Sequence, residues 1–180
     1  MKVNPTSIEY DATDLEILEL LQENCKQPLA AIGQKVGLSA PSVLERIHKL
    51  EEAGVVIGYT AILDARKLGR DITAFIGVAT ERARDIAGIE REVVAIDAVL
   101  ECHHVTGEWT LLLKVKTQDT ESLEELIERI RSCEGVARTE TMVVLSTHAE
   151  RSHVPLAAAR EVEPRAPRRQ AGARARKAGP

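Results

Sequence analysis

Between Leu38 and Gly54 the chain reads LSAPSVLERIHKLEEAG, and few folds accommodate that stretch. Ser39 is a good N-cap, because its hydroxyl can accept from first-turn amides that have no helical partner. Pro41 falls in that first turn, where a missing N–H costs nothing. Gly54 suits the left-handed residue that ends a helix. Val43, Leu44, Ile47 and Leu50 recur at three- and four-residue steps and make one apolar stripe. The opposite face holds Ala40, Ser42, Glu45, Arg46, His48, Lys49 and Glu52. Small residues come first and cations follow, as on a helix that must lie close to a nucleic-acid duplex.

The preceding stretch narrows the choice. Pro28 starts a short helix in which Leu29, Ile32 and Val36 share a face, and Gly37 ends it. Two short helices joined by Val-Gly-Leu-Ser fit a helix-turn-helix, the glycine letting the second leave at a steep angle. A further helix from about Asp11 to Glu23, capped by Asp11 or Thr13, sets Asp14, Ile17, Leu18 and Leu21 in register. Three such helices bury one small core and leave the third free to enter a major groove. Helix pairs with a glycine turn also occur where no DNA is bound, so the pattern alone leaves both readings open.

Composition limits the remainder. The chain has 180 residues, 44% of them hydrophobic and only 2% aromatic, so its cores are aliphatic. No run approaches the roughly 18 apolar residues of a membrane span, and the first ten residues lack an apolar signal core. Cys25, Cys102 and Cys133 are odd in number and widely spaced, which disfavours a disulfide framework or zinc site and suits a reducing cytoplasm. The net charge of −4 hides a split: residues 151–180 carry eight basic and two acidic residues, leaving −10 on the first 150. A locally basic face tolerates an acidic body, because salt screens repulsion beyond about 10 Å.

Taken in order, residues 1–10 read as a flexible arm and 11–54 as the helical DNA-binding domain. Residues 55–70 begin with a β-rich run, VVIGYTAILD, and read as a linker strand. Within 71–80, Ile72, Ala74, Ile76 and Val78 alternate with Thr73, Phe75, Gly77 and Ala79, the period of a strand. A helix over 84–96 aligns Ile86, Ile89, Val93 and Ile96. AVLECHHVTG and EWTLLLKVKT read as strands meeting in a hairpin at Gly107 and Glu108. A helix capped near Asp119 buries Leu123, Leu126, Ile127 and Ile130, and a last strand spans 136–146. The order βαββαβ over 71–147 is the ferredoxin-like arrangement and makes the whole chain α+β. Such a sheet leaves one aliphatic face open, which predicts a dimer. Residues 148–180 are Ala/Arg/Pro-rich and read as a disordered basic tail, either merely solvated or adding phosphate attraction.

Several segments resemble, in the same order, the leucine-responsive/asparagine-regulator (Lrp/AsnC) family of transcriptional regulators over about residues 10–150. They are Asp11, Asp14, Ile17, Leu18, Leu21 and Gln22; VGLS at 36–39 and LERI at 44–47; KLEEAGVVIGYTAILD; ECHHVTGEWTLLLKV at 101–115; and GVARTETMVVLS. The resemblance implies a RAM-type effector and assembly domain, a homodimer built further into tetramers or an octamer, and an amino acid or similar metabolite bound between dimers. It also implies double-stranded DNA as partner, with half-sites about one helical turn, ~34 Å, apart. The expected DNA face is Ser39, Ala40, Pro41, Ser42, Arg46 and Lys49. Arg46 is placed to read a guanine edge or clamp a phosphate, with an internal salt bridge as its alternative. Ser39, at a helix N-terminus, favours an anion, and Glu45 pairs naturally with Lys49.

The expected effector site gathers His104, Thr106, Gly107, Glu108, Trp109 and Thr110, with Thr139, Thr141 and Met142 on the last strand. Gly107 permits a positive φ and exposes backbone groups. Where the family commonly holds Asp, Thr110 stands, so Glu108 is left to meet an α-amino group, unless the ligand differs or is absent. Cys102, His103 and His104 alternate across a strand and supply at most two ligands to one ion, so neither metal nor cofactor is expected. No nucleophile–base pair, phosphate loop or carboxylate dyad supports an enzyme. The rival reading is a nucleoid-like architectural protein without an effector. Either protein belongs in the cytoplasm, on the nucleoid.

Overall fold

Among the described residues, two separate compact units form: residues 10–60 with 151–156, and residues 61–82 with 85–150. A computed structural model of the protein describes residues 10–82 and 85–156. The arm over 1–9 and the tail beyond Leu156 lie outside the described residues.

In the first unit, α1 (Ala12–Glu23) begins with a capping box. The Asp11 carboxylate accepts from the Asp14 amide at 2.8 Å, and the Asp14 carboxylate accepts from the Asp11 amide at 3.2 Å. Helix α2 (Leu29–Val36) and helix α3 (Ala40–Glu52) follow. Gly37, at φ 72°, turns the chain, and the Leu38 amide donates back to the Gly33 carbonyl at 2.9 Å. Gly54, at φ 70°, does the same for α3: the Val55 amide reaches the Leu50 carbonyl and the Gly54 amide that of Glu51, both at 2.9 Å. Each is a Schellman closure, in which carbonyls with no helical donor receive one. Ile17, Ile32, Val43 and Ile47 form the core. Leu44, counted in the apolar stripe, stays 40% exposed.

Gly33 makes the turn possible. A Cβ there would stand 2.4 Å from the Leu38 carbonyl oxygen, nearer than any side chain tolerates. Nothing in the spacing of apolar residues reveals this, because Gly33 sits inside α2 rather than at its end.

The second unit is β1 (Ile72–Thr80), α4 (Ile86–Val94), β2 (Val99–His104), β3 (Leu111–Thr117), α5 (Thr120–Arg131) and β4 (Val136–Val143). The four strands form one antiparallel sheet in the order β2-β3-β1-β4. Ala74, Ile76, Val78, Leu111, Leu113 and Val115 all point to one face, against Ile89 and Val93 of α4 and Leu123, Leu126 and Ile130 of α5. Ile127 is only half-buried. Asp119 caps α5 through a reciprocal box with Ser122. The βαββαβ order expected from the pattern is the one observed.

Two expectations are corrected. Residues 55–70 form no strand; the only regular element there is a 3-10 turn at Arg66–Leu68. A strand needs a neighbour for its amides and carbonyls, and among the described residues none runs beside this segment. Ile57 and Ile62 are 96% and 86% exposed. The second correction concerns 148–156, which was read as disordered. Glu150 reaches Lys114 and Lys116 on the open face of the sheet, whereas Leu156 packs on Leu15, Leu18 and Leu50 of the first unit.

Replacing Gly33 by Ala forces a methyl group into the Leu38 carbonyl and is expected to destabilise the helical unit by about 1–3 kcal/mol. Denaturant unfolding followed by helical circular dichroism reads this directly. A midpoint equal to that of the parent would show that the turn relaxes freely.

Candidate nucleic-acid and effector sites

The N-terminus of α3 is built as the spacing requires. The Ser39 hydroxyl accepts from the Ser42 amide at 3.3 Å and lies 2.8 Å from the Ser42 hydroxyl. Ser39 and Pro41 are exposed, Ala40 and Ser42 half-exposed. Four amides of such a helix end have no intrahelical partner, and the helix dipole adds positive potential. One turn on, Ser42, Glu45, Arg46 and Lys49 line a cleft of about 520 Å³ together with Tyr10, Asp14, Leu38 and Leu50.

Within that cleft the cations are already engaged. Lys49 meets Glu45 at 3.0 Å, both side chains 70% exposed, a pair worth little in water. Arg46 is held more firmly: its Nη1 donates to Asp11 Oδ2 and Asp14 Oδ1, each at 2.7 Å. The two carboxylates that cap α1 therefore also pin α3. Asp11 sits below the usual carboxylate range, first through the Asp14 amide and then through Arg46. The guanidinium is raised in turn by Asp14 and Asp11. The internal salt bridge weighed for Arg46 is present, made to the N-cap Asp11 and to Asp14 of α1.

The residues expected at the effector site do not all share a face. Pairing sets Thr139 opposite Val78, Thr141 opposite Ile76 and His104 opposite Leu111, all on the helix-covered side. Thr139 accepts from Arg131 Nε of α5 at 2.9 Å. Met142, opposite Phe75, belongs to the open side. The β2–β3 connection carries Thr106, Gly107 at φ 120°, Glu108 and Trp109. The Trp109 indole lies over Gly77 of β1, so close that a Cβ there would be 2.5 Å from the ring. Arg138 of β4 covers Trp109, its guanidinium carbon 4.5 Å from the ring centroid, and donates to Glu108 at 2.5 Å. Thr110 is used structurally: its amide donates to the Val78 carbonyl at 2.9 Å, and its hydroxyl accepts from the Thr80 amide at 3.4 Å. Arg138 and Gly77 were missed because strand register, not local spacing, brings them here.

A three-helix unit presenting its third helix, followed by a βαββαβ domain with a polar loop cluster, defines a DNA-binding regulator with a separate ligand-binding domain. Residues 11–51 match the AsnC-type helix-turn-helix domain, and residues 73–154 the Lrp/AsnC ligand binding domain. The HTH-type transcriptional regulator FL11 of Pyrococcus abyssi is 34% identical over 149 residues, spanning 83% of this chain and 98% of that protein. The crystal structure of the Neisseria meningitidis transcriptional regulator NMB0573 in complex with L-Met superposes with a TM-score of 0.81 at 28% identity, covering 84% of this chain and 99% of that one. Escherichia coli AsnC superposes with a TM-score of 0.77 at 28% identity, covering 82% and 100%. The chain belongs to the Lrp/AsnC family of transcriptional regulators, which are not enzymes. Among the described residues no helix is long and apolar enough to cross a membrane.

Because the folded state depresses Asp11, the stabilisation it gives is present above the usual carboxylate range and is lost as pH falls through the folded value. Acid titration of helical stability is expected to show this loss below about pH 4, and Arg46→Ala to reduce it. Equal acid sensitivity in parent and variant would remove the ion pair from that role.

Proposed function

We propose that this regulator binds specific DNA sites through Ser39, Ala40, Pro41, Ser42, Arg46 and Lys49, and that an amino acid or similar small metabolite sets its DNA affinity or its assembly. The observation that carries the effector half is the pairing of opposite charges beside an aromatic plate: Glu108, Arg138 and Trp109. An α-amino acid carries the same two charges. Its carboxylate would take the Arg138 guanidinium and its ammonium the Glu108 carboxylate, each replacing one half of the existing pair. Glu108 thus supplies the acid that Thr110 lacks. The L-Met bound by NMB0573 supports an amino acid as the ligand class. Within the wider set of expected residues, Thr106, Gly107, Glu108 and Trp109 fit this reading better than His104, Thr139 and Thr141, which face the helices, or Met142, which lies beside Phe75 on the open sheet face.

The DNA half requires competition. Phosphates approaching the α3 cleft must draw Lys49 from Glu45, and Arg46 must reach DNA while Asp11 and Asp14 hold one of its nitrogens. The reading further places two copies back to back. Phe75, Leu112 and Met142 lie on the open sheet face, and Ile57, Tyr59, Ile62 and Leu63 on the unpaired segment are exposed apolar residues. An apolar surface of that kind favours a partner copy, and the ligand would bind between the resulting dimers.

The test starts with selection of bound sequences from a randomised duplex pool, followed by a Trp109 fluorescence titration with each of the twenty amino acids. An enriched motif bound about 10³-fold more tightly than mixed sequence is the expected outcome; flat preference would favour the architectural reading. One amino acid should shift Trp109 emission and DNA affinity together, and Gly107→Asp should abolish both responses. Arg46→Ala should lose the motif while the oligomer persists. A normal motif in that variant removes Arg46 from the recognition face.

A further inference from the structure

On α3 a carboxylate stands where approaching phosphates disfavour it. Glu45 is the sixth of the thirteen residues of that helix. At about 100° per residue it lies nearly opposite the buried stripe of Val43, Ile47 and Leu50, and its side chain is 70% exposed. Ser42, Arg46 and Lys49 border the same cleft. A recognition helix meets base edges with its N-terminal part, and here that part carries the small residues Ala40 and Ser42 behind the Ser39 cap. Glu45 is the first long polar side chain along the helix.

The fold gives this carboxylate little to do. Helix α3 is capped through Ser39 and packed through Val43, Ile47 and Leu50. Among the described residues the partner of Glu45 is Lys49 at 3.0 Å, itself 70% exposed, so water screens the pair and it breaks readily. Arg46, the next residue, is instead tied to Asp11 and Asp14. What compensates a carboxylate brought near phosphates is a hydrogen-bond donor. The bases offer two in the major groove, the N4 amino group of cytosine and the N6 amino group of adenine. Adenine sets the acceptor N7 beside its donor, which repels a carboxylate; cytosine presents the donor alone.

We infer that Glu45 is a specificity-determining residue, accepting from the N4 amino group of a cytosine in the major groove. The inference rests on the reading of α3 as the recognition helix. Docking exchanges partners without stranding a charge: the cytosine amino group replaces Lys49 at the carboxylate, and a phosphate replaces Glu45 at the ammonium. The same carboxylate weakens contact wherever no donor meets it, because an edge that offers only acceptors, such as that of guanine, repels it. Selectivity at this position therefore comes from attraction to one base and repulsion from others.

The test is selection of bound sequences from a randomised duplex pool by the parent, Glu45→Gln and Glu45→Ala, followed by affinities for duplexes that differ at single positions. The parent should favour cytosine over adenine at one motif position by about 5- to 150-fold. Glu45→Gln should reverse that preference, since a side-chain amide pairs with adenine N6 and N7. Glu45→Ala should lose it, and both variants should leave the other positions unchanged. An unaltered base preference in both variants would overturn the inference. So would equal weakening at every position, which is what a pair that merely steadies the helix produces. A change confined to a position where the parent holds a base other than cytosine would overturn it as well. A parent that selects no motif would overturn the recognition-helix reading, and the inference with it.

Discussion

A backbone carbonyl packed where a Cβ would stand, Leu38 against Gly33, is the contact on which presentation of α3 depends. It lets the turn between the two helices close in three residues, with Gly37 in the left-handed region. With the turn closed, Val43 and Ile47 fall onto Ile17 and Ile32, and the polar face of α3 is left outward. A larger residue at 33 would move the start of α3, and with it Ser39, Ser42 and the cleft they border. Backbone proximity therefore comes first here, and side-chain chemistry is arranged on top of it.

The electrostatics of that face are economical. Asp11 and Asp14 cap α1, and the same carboxylates hold Arg46, so one cluster fixes a helix start and the azimuth of a neighbouring helix. An arginine bridging two aspartates is ordered before any ligand arrives, which lowers the entropy lost when a further partner is met. It is also partly neutralised. In the second unit the Glu108–Arg138 pair repeats the arrangement at the surface, with Trp109 as a plate beneath the guanidinium. In both places a charge is pre-positioned by its opposite.

Much of this was legible in the residues. Ser39, Pro41 and Gly54 delimit α3 to within a residue or two, because capping is local chemistry. Alternation in 71–80 places Ala74, Ile76 and Val78 inward, because one buried face imposes a period of two. What escaped was set at a distance. Gly33 is silent in a pattern that counts apolar positions. The β-rich run at 55–64 has strand propensity, but propensity does not provide the neighbour a strand requires. Arg138 meets Glu108 across thirty residues through the register of β4 on β1, which no spacing encodes. The expected effector residues were gathered by resemblance, and the pleat then divides them between two faces.

The first unit is discontinuous along the chain: it is left at Thr60 and rejoined at Arg151. During synthesis α1, α2 and α3 emerge about a hundred residues before Leu156. Until then Leu15, Leu18 and Leu50 lack one of the side chains that cover them in the finished protein. The helical unit is thus completed by a segment made only after the sheet domain, and a nascent chain interrupted inside that domain carries an uncapped apolar patch, the kind of surface that chaperones bind and that aggregates form from.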